Sequence, residues 1–501
     1  MNLNNNPIFL TQKRLVHRAG VLAAILIAAL IGLSLLSGLI AYLIAPQDFD
    51  FRTPQEAGKV FYALVIGVEI LVLILGGASR IALALGNDRK AGLWDSNRLT
   101  PLKPWQLVTG YWFGAPLREF YMAVVLAGIG LVIVLLGRLS PMLWLGTQML
   151  IFSTALFFGL IAVVAGLVTQ RPQNGVVPLV LFLFLQFPSF AAPKFLLTNF
   201  LVPAFAIANL FMGDSRNTRS MDEWNGLPEI FGLPIHPILL SLILQVVVGI
   251  FFWRAAIRKT AKPTQPLLLH WEIVALLGIL LVAQHGLIWG LWCGQFPKAA
   301  IHDTYPGNDA LLPIVHGGTL LLAIILINFV SPSPENLRVK AMRYGVKEFG
   351  DIFSDTAVLP ALALTAVAAG VLLTQCAWSC ADSWELYLCA VGNLLSFSLI
   401  FTLLLEFCRM RFRRRALGFV ALWLFVLCGL PLILAGVFTS GGIARLSLLA
   451  PGVIALANPI DENLNYLLGI VVCHLGIAFL LFLGWQRQWK QLLAKAAAIQ
   501  N

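Results

Sequence analysis

The chain has 501 residues, of which 59% are hydrophobic and 11% charged, with a mean hydropathy of +0.86. Water-soluble domains carry about 25% charged residues, so this chain lacks the polar surface to cover a soluble particle. The net charge of +11 would by itself suit a nucleic-acid partner, but the placement of the cations gives it another meaning.

Taken in chain order, apolar runs long enough to cross a ~30 Å hydrocarbon core at 1.5 Å per residue predict twelve spans. They lie at about 20–44, 58–85, 111–136, 142–168, 176–192, 237–256, 271–293, 311–330, 357–374, 384–405, 416–438 and 466–486. The first run, Gly20 to Ile44, is too long for a signal-peptide core, and no small-residue cleavage site follows it, so it reads as a first anchor. Two shorter stretches, 195–211 and 446–458, are broken by Pro203 and by Pro451 with Gly452. They read as re-entrant or interfacial segments, because so few uninterrupted residues cross a bilayer poorly.

With the N-terminus placed inside, 25 of the 34 Lys and Arg fall in inner segments and eight in outer ones, while Arg118 sits just within a span. Cationic loops are retained on the cytoplasmic side. Both termini are therefore expected in the cytoplasm, and the positive charge is a topology signal that needs no nucleic acid.

Three features recur at matched positions in the two halves. Leu201-Val202-Pro203-Ala204-Phe205-Ala206-Ile207-Ala208-Asn209 parallels Leu449-Ala450-Pro451-Gly452-Val453-Ile454-Ala455-Leu456-Ala457-Asn458. Trp253-Arg254 and Trp485-Gln486-Arg487 follow as Trp-plus-basic exits, and the largest polar cytoplasmic loops, 86–106 and 331–356, each come after a second span. The expected fold is all-α: a polytopic membrane protein of about twelve transmembrane helices built as a duplicated six-helix unit. Residues 1–262 form the first unit, with a cytoplasmic segment at 86–106, and 263–501 the second, with a degenerate counterpart at 331–356.

Seven Cys without CxxC or other metal-ligand spacing predict neither a zinc site nor a disulfide framework. Cys376 and Cys380 are the one close pair, in an expected external loop. Small apolar residues near a span end are the plainer reading, and a disulfide is the other.

The most informative stretch is Asn87-Asp88-Arg89-Lys90-Ala91-Gly92-Leu93-Trp94-Asp95-Ser96-Asn97-Arg98-Leu99-Thr100-Pro101-Leu102-Lys103-Pro104, followed by Trp105 through Gly110. One reading is an amphipathic interfacial helix, with Trp94 and Trp105 at headgroup depth and cations toward anionic lipid. The order of residue types supports another: an acid-Arg-charge-x-Gly-x-aromatic-acid run, then Leu-Thr-Pro-Leu-x-Pro, then a Gly opening the next span. In this the chain resembles the membrane subunits of type-2 ATP-binding-cassette (ABC) exporters. In that family a segment like Glu-Arg-Glu-x-Gly-Thr-x-Glu-Leu-Leu-x-x-Thr-Pro-Leu-x-Pro follows the second span. Asp88, Arg89, Gly92, Asp95, Leu99, Thr100, Pro101, Leu102, Pro104 and Gly110 match by type, whereas Lys90, Leu93 and Ser96-Asn97-Arg98 depart from it. The likeness covers roughly the first 260 residues; Ser331-Pro332-Ser333-Pro334-Glu335-Asn336-Leu337-Arg338 holds the corresponding place in the second half without the motif.

The resemblance implies that the segment is a coupling helix docking in a cleft of a separate ABC ATPase subunit, present in two copies. Asp88, Arg89, Gly92, Asp95, Thr100, Pro101 and Pro104 are then the ATPase-coupling residues. No G-x-x-x-x-G-K-[ST] occurs in the chain, so no cofactor is expected on it, and ATP and Mg would belong to the partner. Asn6 through Arg18 likewise resembles the interfacial helix that precedes the family's first span, the alternative being a simple basic topogenic tail.

Ionisable side chains at mid-membrane cost about 2.5–3.5 kcal/mol on insertion scales and should face protein or water. Glu69, midway along the second span, is the sharpest case, either on a transport path or as a partnered structural carboxylate. Gln284 and His285 are central in the seventh span, and His474 in the twelfth reads as a packed neutral imidazole. Arg118 and Glu119, about seven residues into the third span, should pair or snorkel toward headgroups, and Glu272 and Glu406, at span ends, are expected to be solvated. No H-E-x-x-H or G-x-S-x-G occurs and the acids in spans are isolated, so no catalytic or metal site is expected.

The favoured function is an ABC permease subunit exporting an undetermined substrate across a bacterial inner membrane. A non-transporting scaffold or regulatory subunit of such a complex is the first alternative, and an ion-coupled secondary transporter using Glu69 and His285 the second.

Overall fold

A computed structural model describes residues 6–18, 20–45, 53–99, 101–168, 197–202, 228–231, 233–262, 268–292, 360–367, 384–412 and 464–500, with single positions between them. The expected spans at 176–192 and 311–330, that at 416–438 apart from Trp423 and Val426, the interrupted stretch 446–458, the segment 331–356, and Thr100, Cys376 and Cys380 lie outside the described residues. Of the expected span 357–374, residues 360–367 and Gly370 are described.

The chain divides into two compact units, one of residues 1–228 and 233–267, the other of 229–232 and 268–501. The first opens with α1 (Pro7–Arg18), a turn at Gly20, and α2 (Val21–Ile44). Next comes one helical rod, Pro54–Lys90, in three stretches: α3 (Pro54–Glu69), a π-helical segment (Ile70–Gly76) and α4 (Gly77–Lys90). Thr53 starts it, its hydroxyl accepting the Glu56 N–H at 3.2 Å with Pro54 at the first helical position, where a missing N–H does no harm. Then follow α5 (Leu93–Leu99), α6 (Pro104–Gly114), α7 (Leu117–Leu136), α8 (Pro141–Val168), a 3-10 turn (Leu197–Phe200) and α9 (Pro237–Ala261). The second unit contributes α10 (His270–Trp292), α11 (Trp384–Phe412) and α12 (Leu464–Gln500).

Among the described residues, six helices are long and apolar enough to cross a membrane: α2, the 54–90 rod, α7, α8, α9 and residues 468–491 of α12. Shorter apolar stretches lie within α10 (Trp271–Leu287) and α11 (Leu395–Cys408). Leu22, Leu26, Leu30 and Leu33 on α2 and Val472, Leu475, Phe479 and Leu480 on α12 are exposed. Runs of exposed apolar side chains of this length need a nonaqueous covering, and a helical bundle is the form in which backbone polar groups tolerate a bilayer. The chain is a helical, multi-pass membrane protein.

In the first unit α8 is the central post, 72% buried along its apolar window against 17% for α2. The rod, α6, α7 and α9 pack around it. α3 and α7 cross where two glycines meet: a Cβ on Gly58 would stand 2.8 Å from the Gly137 Cα, which leaves room for backbones alone. In the second unit α11 and α12 pack along each other, with Trp485 and Trp489 buried against Ile400, Leu403 and Ala478.

The expected third span, 111–136, is two helices. α6 ends at Gly114 and α7 begins at Leu117, with Pro116 between them. Pro116 has no N–H to donate, so the ladder is interrupted there; the hydropathy run continued across the break because Tyr111, Trp112 and Phe113 are themselves apolar. In consequence Arg118 and Glu119 stand in the first turn of α7, not seven residues inside a span. Glu272 and Glu406 also differ from expectation, being buried rather than solvated. Glu272 accepts the Leu269 N–H at 3.0 Å, closing the first turn of α10 as a carboxylate at the third helical position does.

Candidate functional site

The segment expected to carry the chemistry is built on the C-terminal end of the rod. α4 ends at Lys90, and Gly92, at φ +75°, reverses the chain into α5. A side chain at that left-handed position would be strained, which explains the glycine without reference to a partner. Pro104 occupies the first position of α6, whose opening is closed by the Gln106 Oε1 accepting the Lys103 N–H at 2.9 Å. Pro101 is exposed in the linker between α5 and α6.

Asp88 and Arg89 are neighbours in sequence and do different work. The Asp88 Oδ2 accepts a hydrogen bond of 2.5 Å from the Tyr111 phenol on α6. The Arg89 Nη1 donates to the last carbonyls of α8, to Gly166 at 3.2 Å and to Leu167. A helix C-terminus carries unsatisfied carbonyls and partial negative charge, both of which a guanidinium answers. Two of the expected coupling residues therefore hold the segment to the bundle. Burial pushes the Tyr111 phenol well above its ordinary range, and the hydrogen bond to Asp88 and its charge act in the same direction. Tyr111 remains the donor of that bond. α5 itself turns Trp94 inward, 4% exposed and 5.6 Å from the Tyr111 ring, while Leu93 is 53% exposed and Lys90 and Ser96 face out. Asp95 lies on α5; its side chain and Thr100 are outside what is described.

α1 is seated across α6. Asn6, buried, caps α1 by accepting the Ile8 N–H at 3.0 Å and donates from Nδ2 to the Gln106 carbonyl at 2.7 Å. A Cβ on Gly110 would meet the Ile8 Cβ at 2.7 Å, and one on Gly114 the Gln12 Cβ at 2.9 Å. The glycine that opens the third span in the resemblance is thus the seat of the N-terminal helix. The Gly-x-x-x-Gly spacing of 110 and 114 was the sequence signal for it.

Of the intramembrane candidates, Arg118 and Glu119 pair, Nη2 to Oε1 at 2.7 Å, and Arg80 reaches the same oxygen at 3.5 Å. Glu69 is fully buried and takes a hydrogen bond of 3.0 Å on Oε2 from the Gln148 Nε2 of α8. The π-helical segment begins at the next residue; such segments gather at functional positions. Gln284 and His285 belong to the second unit, both buried, with the imidazole edge-on to Phe231 at 6.0 Å. His474 packs buried with Nδ1 3.0 Å from the Ser396 hydroxyl. Uncharged partners, which hydropathy and charge do not mark in the sequence, complete these contacts: Thr147, Gln148, Ser153 and Thr154 on α8, and Gln245 on α9, whose Nε2 donates to Thr154 at 2.9 Å and to the Leu201 carbonyl at 3.3 Å. Among the described residues no group of three or more His, Cys, Asp or Glu is placed to hold a metal. No protein-family model matches the chain, and neither a curated protein nor a solved structure is found similar to it.

Proposed function

We propose that the chain is the membrane permease subunit of an ATP-driven exporter of the type-2 ABC kind, placed in a bacterial inner membrane. In this reading twelve spans form two fused six-span units with cytoplasmic termini, and two copies of a separate ATPase subunit supply ATP, Mg and hydrolysis. The observation that supports it is the build of α5: Trp94 anchors it inward on Tyr111, while Leu93 and Ser96 on α5, with Lys90 at the end of α4, are exposed as a mixed apolar and polar surface. An apolar side chain with polar neighbours is how a docking helix offers both affinity and register. The α4 end is continuous with the helix that enters the membrane. Displacement of α5 by a closing partner would therefore travel as rigid-body motion of that rod.

The test is affinity purification of the chain with whatever ATPase accompanies it. Leu93→Asp leaves the Asp88, Arg89 and Trp94 contacts in place and should reduce ATPase affinity by roughly 30-fold, about 2 kcal/mol for a central apolar anchor, with the melting temperature unchanged. Absence of an ATPase from the wild-type purification, or undiminished binding by Leu93→Asp, overturns the reading.

A further inference from the structure

One buried polar contact in the first unit leaves two oxygens unsatisfied if both groups carry their ordinary protonation. Glu69 and Gln148 face each other from α3 and α8, one 0% and the other 6% exposed, joined by the single bond from the Gln148 Nε2 to the Glu69 Oε2. The other oxygen of each, Oε1 of Glu69 and Oε1 of Gln148, is buried with no hydrogen-bond partner among the described residues. Buried oxygens are rarely left so. The nearby hydroxyls have partners of their own. The Thr147 hydroxyl has the Leu143 and Trp144 carbonyls of its own helix within reach, both at 2.9 Å, and makes a short contact with the Tyr62 phenol.

The ionisable and charged groups of the elements packed around Glu69 give it no counter-charge. On its own rod these are Glu56, Lys59, Tyr62, Arg80, Asp88, Arg89 and Lys90; α2 carries Tyr42, α7 carries Arg118, Glu119 and Tyr121, and α8 none. Arg80 and Arg118 are engaged with Glu119, Arg89 with α8, and Lys59 with the Phe211 carbonyl at 3.0 Å. No cation pairs with Glu69 among the described residues.

We infer that Glu69 holds a proton and shares it with Gln148 in a cyclic acid–amide pair, making this contact an intramembrane proton site. In that ring the amide N–H donates to Oε2 and the carboxylic O–H donates from Oε1 to the amide oxygen. One proton satisfies both orphaned oxygens, and the site stays neutral in an apolar surrounding. Exchanging the amide oxygen and nitrogen by a flip, which alters no heavy-atom position, would set an acceptor against a carboxylate oxygen and require the same proton. The site adjoins Ile70–Gly76, where the rod changes from α to π winding. Loss of the proton would leave a bare charge there, so proton occupancy bears directly on the one irregular stretch of that rod. The inference is independent of any ATPase partner.

The test is infrared difference spectroscopy of the full-length protein in lipid vesicles at neutral pH. Subtracting Glu69→Gln from wild type should reveal a protonated carboxyl C=O stretch, and Gln148→Leu should shift that band to higher frequency as the acid loses its partner. The amide of Glu69→Gln can rebuild the ring with Gln148, so its melting temperature should match wild type while Glu69→Leu melts lower. A difference showing only carboxylate bands overturns the proposal, as does a C=O band that appears only when sodium is withdrawn, which would mark a metal-cation site. Should Glu69→Gln fail to fold, the Gln148→Leu band shift decides alone: no shift refutes the pairing.

Discussion

Arg89 is the residue on which the sequence and the structure press different roles, and Arg89→Gln separates them. By resemblance it belongs to a docking surface; by geometry its guanidinium closes the C-terminus of α8 at the Gly166 and Leu167 carbonyls. Glutamine keeps a donor but is shorter and uncharged, so both bonds and the favourable interaction with the helix end are lost. Hydrogen bonds to charged groups contribute about 1.5–3 kcal/mol, and a cation at a helix C-terminus about 0.3–1 kcal/mol at exposed sites. Arg89 is half-buried, and roughly 2 kcal/mol in total is a reasonable expectation, a factor of about 30 in a local opening equilibrium at 25 °C. Hydrogen exchange followed by mass spectrometry reads this directly. Amides in the last turn of α8, residues 165–168, should exchange about 30-fold faster in Arg89→Gln, with α5 loosened as well. Unchanged exchange at 165–168 together with lost ATPase association would refute the capping role and return Arg89 to the docking surface.

Enlarging the seat of α1 should release it: Gly110→Leu forces the Ile8 side chain away from a position where a Cβ already stands 2.7 Å off. Overpacking costs about 1–3 kcal/mol, so exchange of the α1 amides should rise at least roughly fivefold, and an unaltered rate would disprove the seat. The Tyr111 phenol, raised above its ordinary 10.0 first by burial and then by Asp88, favours the fold while protonated. That contribution is full below the unfolded value and is lost as pH climbs through the higher folded one. The tyrosinate absorbance that distinguishes wild type from Tyr111→Phe should therefore appear well above pH 10 in the folded protein and near 10 after denaturation; native titration near 10 would show that the buried pair is not formed.

Where hydropathy alone sets a helix, the chain is readable without coordinates. The runs at 20–44, 142–168 and 237–256 correspond to Val21–Ile44, Pro141–Val168 and Pro237–Ala261, because the length of an apolar run is what the bilayer selects. The third spanning helix starts later than hydropathy predicts, at Leu117, because the aromatic residues of α6 carry the apolar run upstream of Pro116. The site was half legible. The types and spacing in the 88–104 stretch singled it out, and Gly92 is explained by local backbone geometry alone.

What sequence could not supply is direction. Asp88 and Arg89 are adjacent, and successive helical residues point about 100° apart, so a shared motif sends one to Tyr111 and the other to α8. Likewise the charge of Glu69 was conspicuous in an apolar run, but its partner, Gln148, is 79 residues away and uncharged, and nothing in local pattern distinguishes it from other polar residues on α8. Composition and charge placement determined that this is a membrane protein of many helices. Only packing decided which polar groups face one another, because away from water a buried polar side chain must find its partner within the protein, and for Glu69, Asp88 and Arg89 that partner lies on another helix.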